Sequence, residues 1–174
     1  MALPDYLKAS QGTPIIWGES GASGVTNTLT FEALANAAGR MGASVDLGAT
    51  WDQDYLVYLR VETGTAPTAG NMVELYLACS YDNSNWPGKV TGSDAAYPTT
   101  VAANKLQLEL VGVLVATADG STVLQQSPWL WRPKGRYVAP VIVNLLGQAF
   151  RDETTATDND GRVILVPYKS SIED

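Results

Sequence analysis

The sequence has no histidine. That absence removes the usual proton carrier near neutral pH, the commonest metal ligand and every Ser-His or Cys-His nucleophile pair. A single cysteine, Cys79, excludes an intramolecular disulfide and a cysteine-based zinc site, so nothing points to an oxidising compartment. Charged residues make up only 17% of the chain, against roughly 25% in an average soluble domain. Basic residues are the scarcer kind: 11 Lys and Arg against 18 Asp and Glu leave a net charge of −7. Such a chain repels a phosphate backbone, and no direct nucleic-acid partner is expected. The start, Met-Ala-Leu-Pro-Asp-Tyr-Leu-Lys, lacks a basic segment followed by an apolar one, so no signal peptide is expected. No apolar run approaches the roughly 20 residues that span a bilayer, and no membrane partner is expected. A protein of this kind acting outside the cell that makes it would be released by lysis.

What is present is a β pattern. At 174 residues the chain has the size of one domain and can bury a core without disulfides or metals. From Asp54 onward apolar residues alternate with polar ones, the period of a strand with one buried face. Tyr55, Val57, Leu59 and Val61 share one face, while Arg60 and Glu62 point the other way. After Thr63 to Gly70, the run Met72 to Cys79 alternates again, with Val73, Leu75, Leu77 and Cys79 inward and Glu74 and Tyr76 opposite. Cys79 reads as a buried small hydrophobe rather than a reactive thiol. Tyr81 to Asp94 reads as a long surface loop. Leu106, Leu108 and Leu110 lead into a strand expected to bend or bulge at Gly112, and Asp119-Gly120 supplies a turn. Pro140 is expected to confine Arg136 to Asn144 to a sheet edge or a bulge. Arg162 to Tyr168 reads as the last strand. With Pro14 to Trp17, Thr28 to Phe31 and Ala43 to Leu47, this predicts roughly eight to ten short strands. Only Phe31 to Ala38 has the alanine content for a helical turn or two, stopped by Gly39 and Gly42. The expected fold is an all-β, antiparallel β-sandwich or jelly roll over residues 13–174, preceded by an extended N-terminal arm over residues 1–12.

Candidate chemistry is thin. Gly18 to Gly24 has the glycines of a phosphate loop but neither the Gly-Lys-Ser/Thr end nor a following helix, so it reads as a flexible surface loop. Asp158-Asn159-Asp160-Gly161 has part of a calcium-loop spacing without the later bidentate Glu, and reads as a polar turn. Asp152 and Glu153 with Asp158 and Asp160 would be needed for a paired-carboxylate hydrolase, a weaker reading than a non-enzyme. No catalytic, metal-binding or cofactor-binding residue is therefore assigned. The aromatics are more informative, with five tryptophans and only two phenylalanines. Trp129-Leu130-Trp131 places both indoles on one face of an extended segment, fenced by Pro128 and Pro133. At least one of the pair is expected to cover the core. The alternative is an exposed pair at a subunit interface or stacked on sugar rings. Trp86, in a polar loop, is the first candidate for an exposed contact residue.

Four segments carry a resemblance: Val57 to Gly70, Ser80 to Gly88 with its Asn-Trp-Pro-Gly, Arg136 to Asn144, and Arg162 to Tyr168. Together they resemble a family of small tailed-bacteriophage virion proteins, over about Val45 to Tyr168. Such proteins are similar to capsid decoration, or cement, proteins with a jelly-roll body that clamp neighbouring major capsid subunits. The resemblance implies a non-enzymatic protein on the outer capsid surface of a virion, made in the host cytoplasm, with the major capsid protein as partner. A homo-oligomer, dimer or trimer, is expected. Leu3, Tyr6 and Leu7 of the arm, together with Trp86, Trp129 and Trp131, are the candidate interface residues. The alternatives are a tail, baseplate or fibre component, or a carbohydrate-binding β-sandwich module using Trp86, Trp129 and Trp131.

Overall fold

The computed structural model describes residues 6–52, 54–98, 102–118, 120–152 and 161–173. In chain order the strands are β1 (Tyr6–Gln11), β2 (Ile15–Gly18), β3 (Asn27–Thr28), β4 (Gly39–Met41), β5 (Val45–Asp46), β6 (Asp54–Glu62), β7 (Met72–Ser80), β8 (Ala95–Tyr97), β9 (Glu109–Val115), β10 (Val123–Gln125), β11 (Trp129–Trp131), β12 (Tyr137–Leu145) and β13 (Arg162–Glu173). Among the described residues one short α-helix, α1, spans Ala102–Lys105, and Pro87–Lys89 form a single 3-10 turn. The excess over the expected strand count comes from β1 in the arm and from the three-residue pieces β4 and β8.

The strands form two sheets, as expected for an all-β sandwich. The first runs β10-β6-β13-β2-β3, with β11 also on β6 and β1 also on β13. The second runs β8-β4-β12-β7-β9, with β5 also on β12. Pairing among the described residues is antiparallel apart from β2 with β3. The alternation in β6 does what its period requires: Tyr55, Val57, Leu59 and Val61 are buried between the sheets. Val163 and Leu165 of β13 and Trp17 of β2 join them from the same sheet, and Val73, Leu75, Leu77, Val138 and Ile142 meet them from the other. Each fully buried side chain of this size stabilises the fold by roughly 1.5–3 kcal/mol relative to exposure.

Several expectations need correction. Phe31 to Ala38 forms turns, not helix, with Ala33 and Ala37 at φ 49° and 64°. Tertiary bonds outweigh alanine's helix propensity there: Ala37 N donates to Asn144 O at 2.7 Å, and Glu19 accepts from the amides of Phe31 and Glu32. Gly18 and Glu19 are buried, so the Gly18 to Gly24 segment begins as a fixed corner. Pro140 lies in a central strand, not at an edge. The amides of Gly42 and Leu47 donate to Pro140 O and Arg136 O, so alternate residues of β12 turn their backbone groups toward β4 and β5. Pro140 therefore lacks its N–H on the side where β4 ends and β5 has not begun. The bulge expected near Gly112 is present: Leu75 pairs with Gly112 and Tyr76 with Leu110, leaving Val111 extra.

The alternation of Leu106, Leu108 and Leu110 predicts an inward face, yet Leu110 is 51% exposed and Leu106 86%. The helical turn α1 and the bend after it break the strand period, so only Leu108 of that trio turns inward. It does so into a second apolar cluster on the outer face of the second sheet. There Tyr76 and Ala78 of β7, Ala139, Val141 and Val143 of β12, Met41 of β4 and Tyr97 of β8 are covered by Val90 and Leu108. Residues 81–94 and 102–108 thus form a covering layer as much as a surface loop. Asp94 fastens it. Its carboxylate accepts from Arg40 Nε at 2.7 Å, Thr30 Oγ1 at 2.6 Å and Thr30 N at 3.1 Å. Burial pushes the Asp94 carboxyl up, but the bonds from Arg40 and Thr30 outweigh it and hold the group below its usual range.

Candidate contact surfaces

The arm residues come first. Leu3 lies outside the described residues. Tyr6 and Leu7 begin β1, whose backbone runs antiparallel to the end of the chain's own last strand, with Tyr6 opposite Glu173 and Leu7 opposite Ile172. As described, this part of the arm is a sheet strand of its own chain.

The Trp129–Trp131 pair faces inward. Trp131 is 3% exposed and packs against Tyr55 with ring centroids 5.9 Å apart, which leaves it no surface to offer. Trp129 is partly buried over Gly112, where a Cβ would come within 2.1 Å of the indole. Glycine at that position is what lets the ring settle on β9. Trp86 is half-buried: it packs against the second cluster and lines a cleft of about 490 Å3.

The residue between the two indoles marks a surface that the tryptophans themselves do not. Leu130 is 66% exposed and pairs with Leu56, which pairs in turn with Val166. The neighbouring row pairs Tyr58 with Ile164 and Ile164 with Ile16. Directly paired residues share a face, so these two rows form one apolar patch on the outer side of the first sheet. Leu56, Tyr58, Ile164 and Ile16 are all partly exposed, while Val166 is buried. Arg60 pairs with Arg162 at one end of the patch. At the other, Arg132 donates to Asp54 Oδ1 from Nε at 3.0 Å and Nη2 at 2.9 Å. An apolar centre with a charged rim is the anatomy of a contact surface. Its signal in the sequence is that Leu56 and Tyr58 in Tyr55-Leu56-Val57-Tyr58, and Ile164 in Val163-Ile164-Leu165, are apolar on the face that alternation leaves to solvent.

Chemical groups are dispersed. Among the described residues no cluster of three or more His, Cys, Asp or Glu side chains is placed to hold a metal ion. Glu153, Asp158 and Asp160 lie outside the described residues. Asp152 and Glu32 are both exposed, and Glu32 is pushed up by partial desolvation, then by hydrogen bonding to Asp152 and the charges of Asp152 and Glu19. Cys79 is partly buried, and burial pushes its thiol up, which lowers its nucleophilic fraction. A buried polar residue that the sequence pattern does not single out is Asn144. Fully buried, it donates from Nδ2 to Leu34 O and Gln148 O, each at 2.8 Å, and accepts from Leu146 N at 3.0 Å. It ties two irregular segments to β12, a role with no local pattern to announce it. Comparison with protein-family models, with curated proteins and with solved structures found no match for this chain.

Proposed function

We propose that this chain is a structural virion protein of a tailed bacteriophage, a capsid decoration protein that binds and stabilises the assembled head. The phrases that resemble such proteins support this reading, and the jelly-roll connectivity they imply belongs to the proposal. The observation that carries it is the outward-facing apolar patch of Leu130, Leu56, Tyr58, Ile164 and Ile16, with Leu130 exposed at its edge. A cement protein works through such a face and needs no reacting group. Many copies on a symmetric lattice add avidity even when each contact is weak. The partner is the major capsid protein, and self-association as a dimer or trimer would cover further apolar area.

The test is binding of the purified chain to assembled heads, followed by electron microscopy of labelled virions. Label over the head surface is expected, with binding weakened at least tenfold by Leu130→Asp or Ile164→Asp while the fold is kept, a loss of about 1.4 kcal/mol or more. Label confined to tails or fibres overturns the decoration reading. Full binding by both variants removes the patch from it.

A further inference from the structure

We infer that the cleft beside Trp86 is a carbohydrate site that takes a neutral pyranose ring of an oligosaccharide. It lies on the covering layer of the second sheet and does not depend on the virion reading. Its volume of about 490 Å3 falls within the ~300–1,000 Å3 of small-molecule sites. The lining combines one indole with the amides of Asn85, Asn104 and Gln107 and the ammonium of Lys89, and it includes no carboxylate. Sugar hydroxyls both donate and accept, as amides do, and the C–H face of a pyranose packs on an aromatic ring.

The lining is held in place before any ligand arrives. Trp86 Nε1 donates to Asn83 O at 3.2 Å, and a Cβ on Gly92 would approach the same nitrogen to 3.0 Å, so the indole is pinned along that edge. The Asp82 carboxylate accepts from Ser84 N, Asn85 N and Asn85 Nδ2 at 2.9, 2.9 and 2.7 Å, which leaves Asn85 Oδ1 to face a donor. Gln107 Oε1 accepts from Gly88 N at 2.9 Å, which leaves its amide N–H groups to donate. Among the described residues the Asn104 side chain has no hydrogen-bond partner. Left-handed backbone gathers here: Asn83, Gly88, Lys89 and Gly92 have φ of 61°, 61°, 65° and 72°. For Lys89 that conformation is strained, and strain of this kind concentrates where a loop is shaped for a ligand.

The experiment is an array of neutral and acidic oligosaccharides probed with the full chain, followed by titration of the hits. Saturable binding to neutral glycans is expected, weakened about tenfold or more by Trp86→Ala and by Asn104→Ala. Because Trp86 also packs on the second cluster, Asn104→Ala is the decisive variant, with an unchanged melting temperature as its control. No saturable hit, hits on acidic glycans alone, or full-strength binding by Asn104→Ala overturns the inference. Head binding is read through Leu130 and Ile164 on the other sheet, so the two proposals fail separately.

Discussion

The two sheets differ on their outer faces. The second sheet is buried on both sides: β12 alternates Val138 and Ile142 into the space between the sheets with Ala139, Val141 and Val143 into the covered cluster outside. The first sheet is buried on one side, and Leu56, Tyr58 and Ile164 stand partly exposed on the other. Strand by strand the signals are alike, since β12 and the middle of β13 are both continuous apolar runs. The difference lies in the connections. The chain between β7 and β9 is long enough to fold back over its own sheet, and the described part of the first sheet has no such roof. A two-faced apolar strand therefore marks a face that something covers, and either the same chain or a partner can supply the cover.

The largest effect that sharpens this comparison is in the common core. Leu75→Ala is expected to cost about 2 to 5 kcal/mol, and Leu108→Ala in the covering layer about 2 kcal/mol, the lower end of the same range, since its site borders solvent. Denaturant unfolding measures both, and equal losses would make the covering layer part of the main core. Next comes acid. Asp94 is held below the pKa of about 3.9 it has when unfolded, so its contribution is present above that value and fades as pH falls through the lower, folded one. Pepsin should cut the covering segment first as pH drops below about 4, and Asp94→Asn should open the same segment to thermolysin already at neutral pH. An Asp94→Asn protein with an unchanged cutting pattern would break the assignment of Asp94 as its fastener. The smallest effects are on the open surfaces: Leu110→Ala and Leu130→Ser should each shift stability by no more than about 0.5 kcal/mol. A loss above about 2 kcal/mol at Leu130 would mean the patch is already covered within the chain.

Much of the fold was legible in the sequence where burial is one-sided. The inward set of β6, the inward set of β7 and the bulge beside Gly112 all follow from period two and a glycine. The legibility ended where a residue's environment comes from a distant segment. Leu110 belongs to an apolar run, yet the turn of α1 changes the phase of the chain just before it. Pro140 reads as an edge residue because a proline lacks an N–H, but the break between β4 and β5 accommodates that absence inside the sheet. Of the candidate contact residues, Trp86 does border a cleft, whereas Trp131 fills the core. An indole's size and polar edge suit either place, and the pattern around Trp131 cannot tell which side of the sheet is solvent.

By itself, then, the sequence determined an all-β domain, the inward residues of its alternating strands and a chemistry without histidine or paired cysteines, because these follow from local period and residue type. Tertiary structure alone decided which apolar faces are covered. It set Asp94, Arg40 and Thr30 together across the covering layer, left Leu130 with Leu56 and Ile164 open, and gathered Trp86 with Asn104 and Gln107 around one cleft. Such placements depend on contacts between residues far apart in the chain, and no local periodicity encodes them.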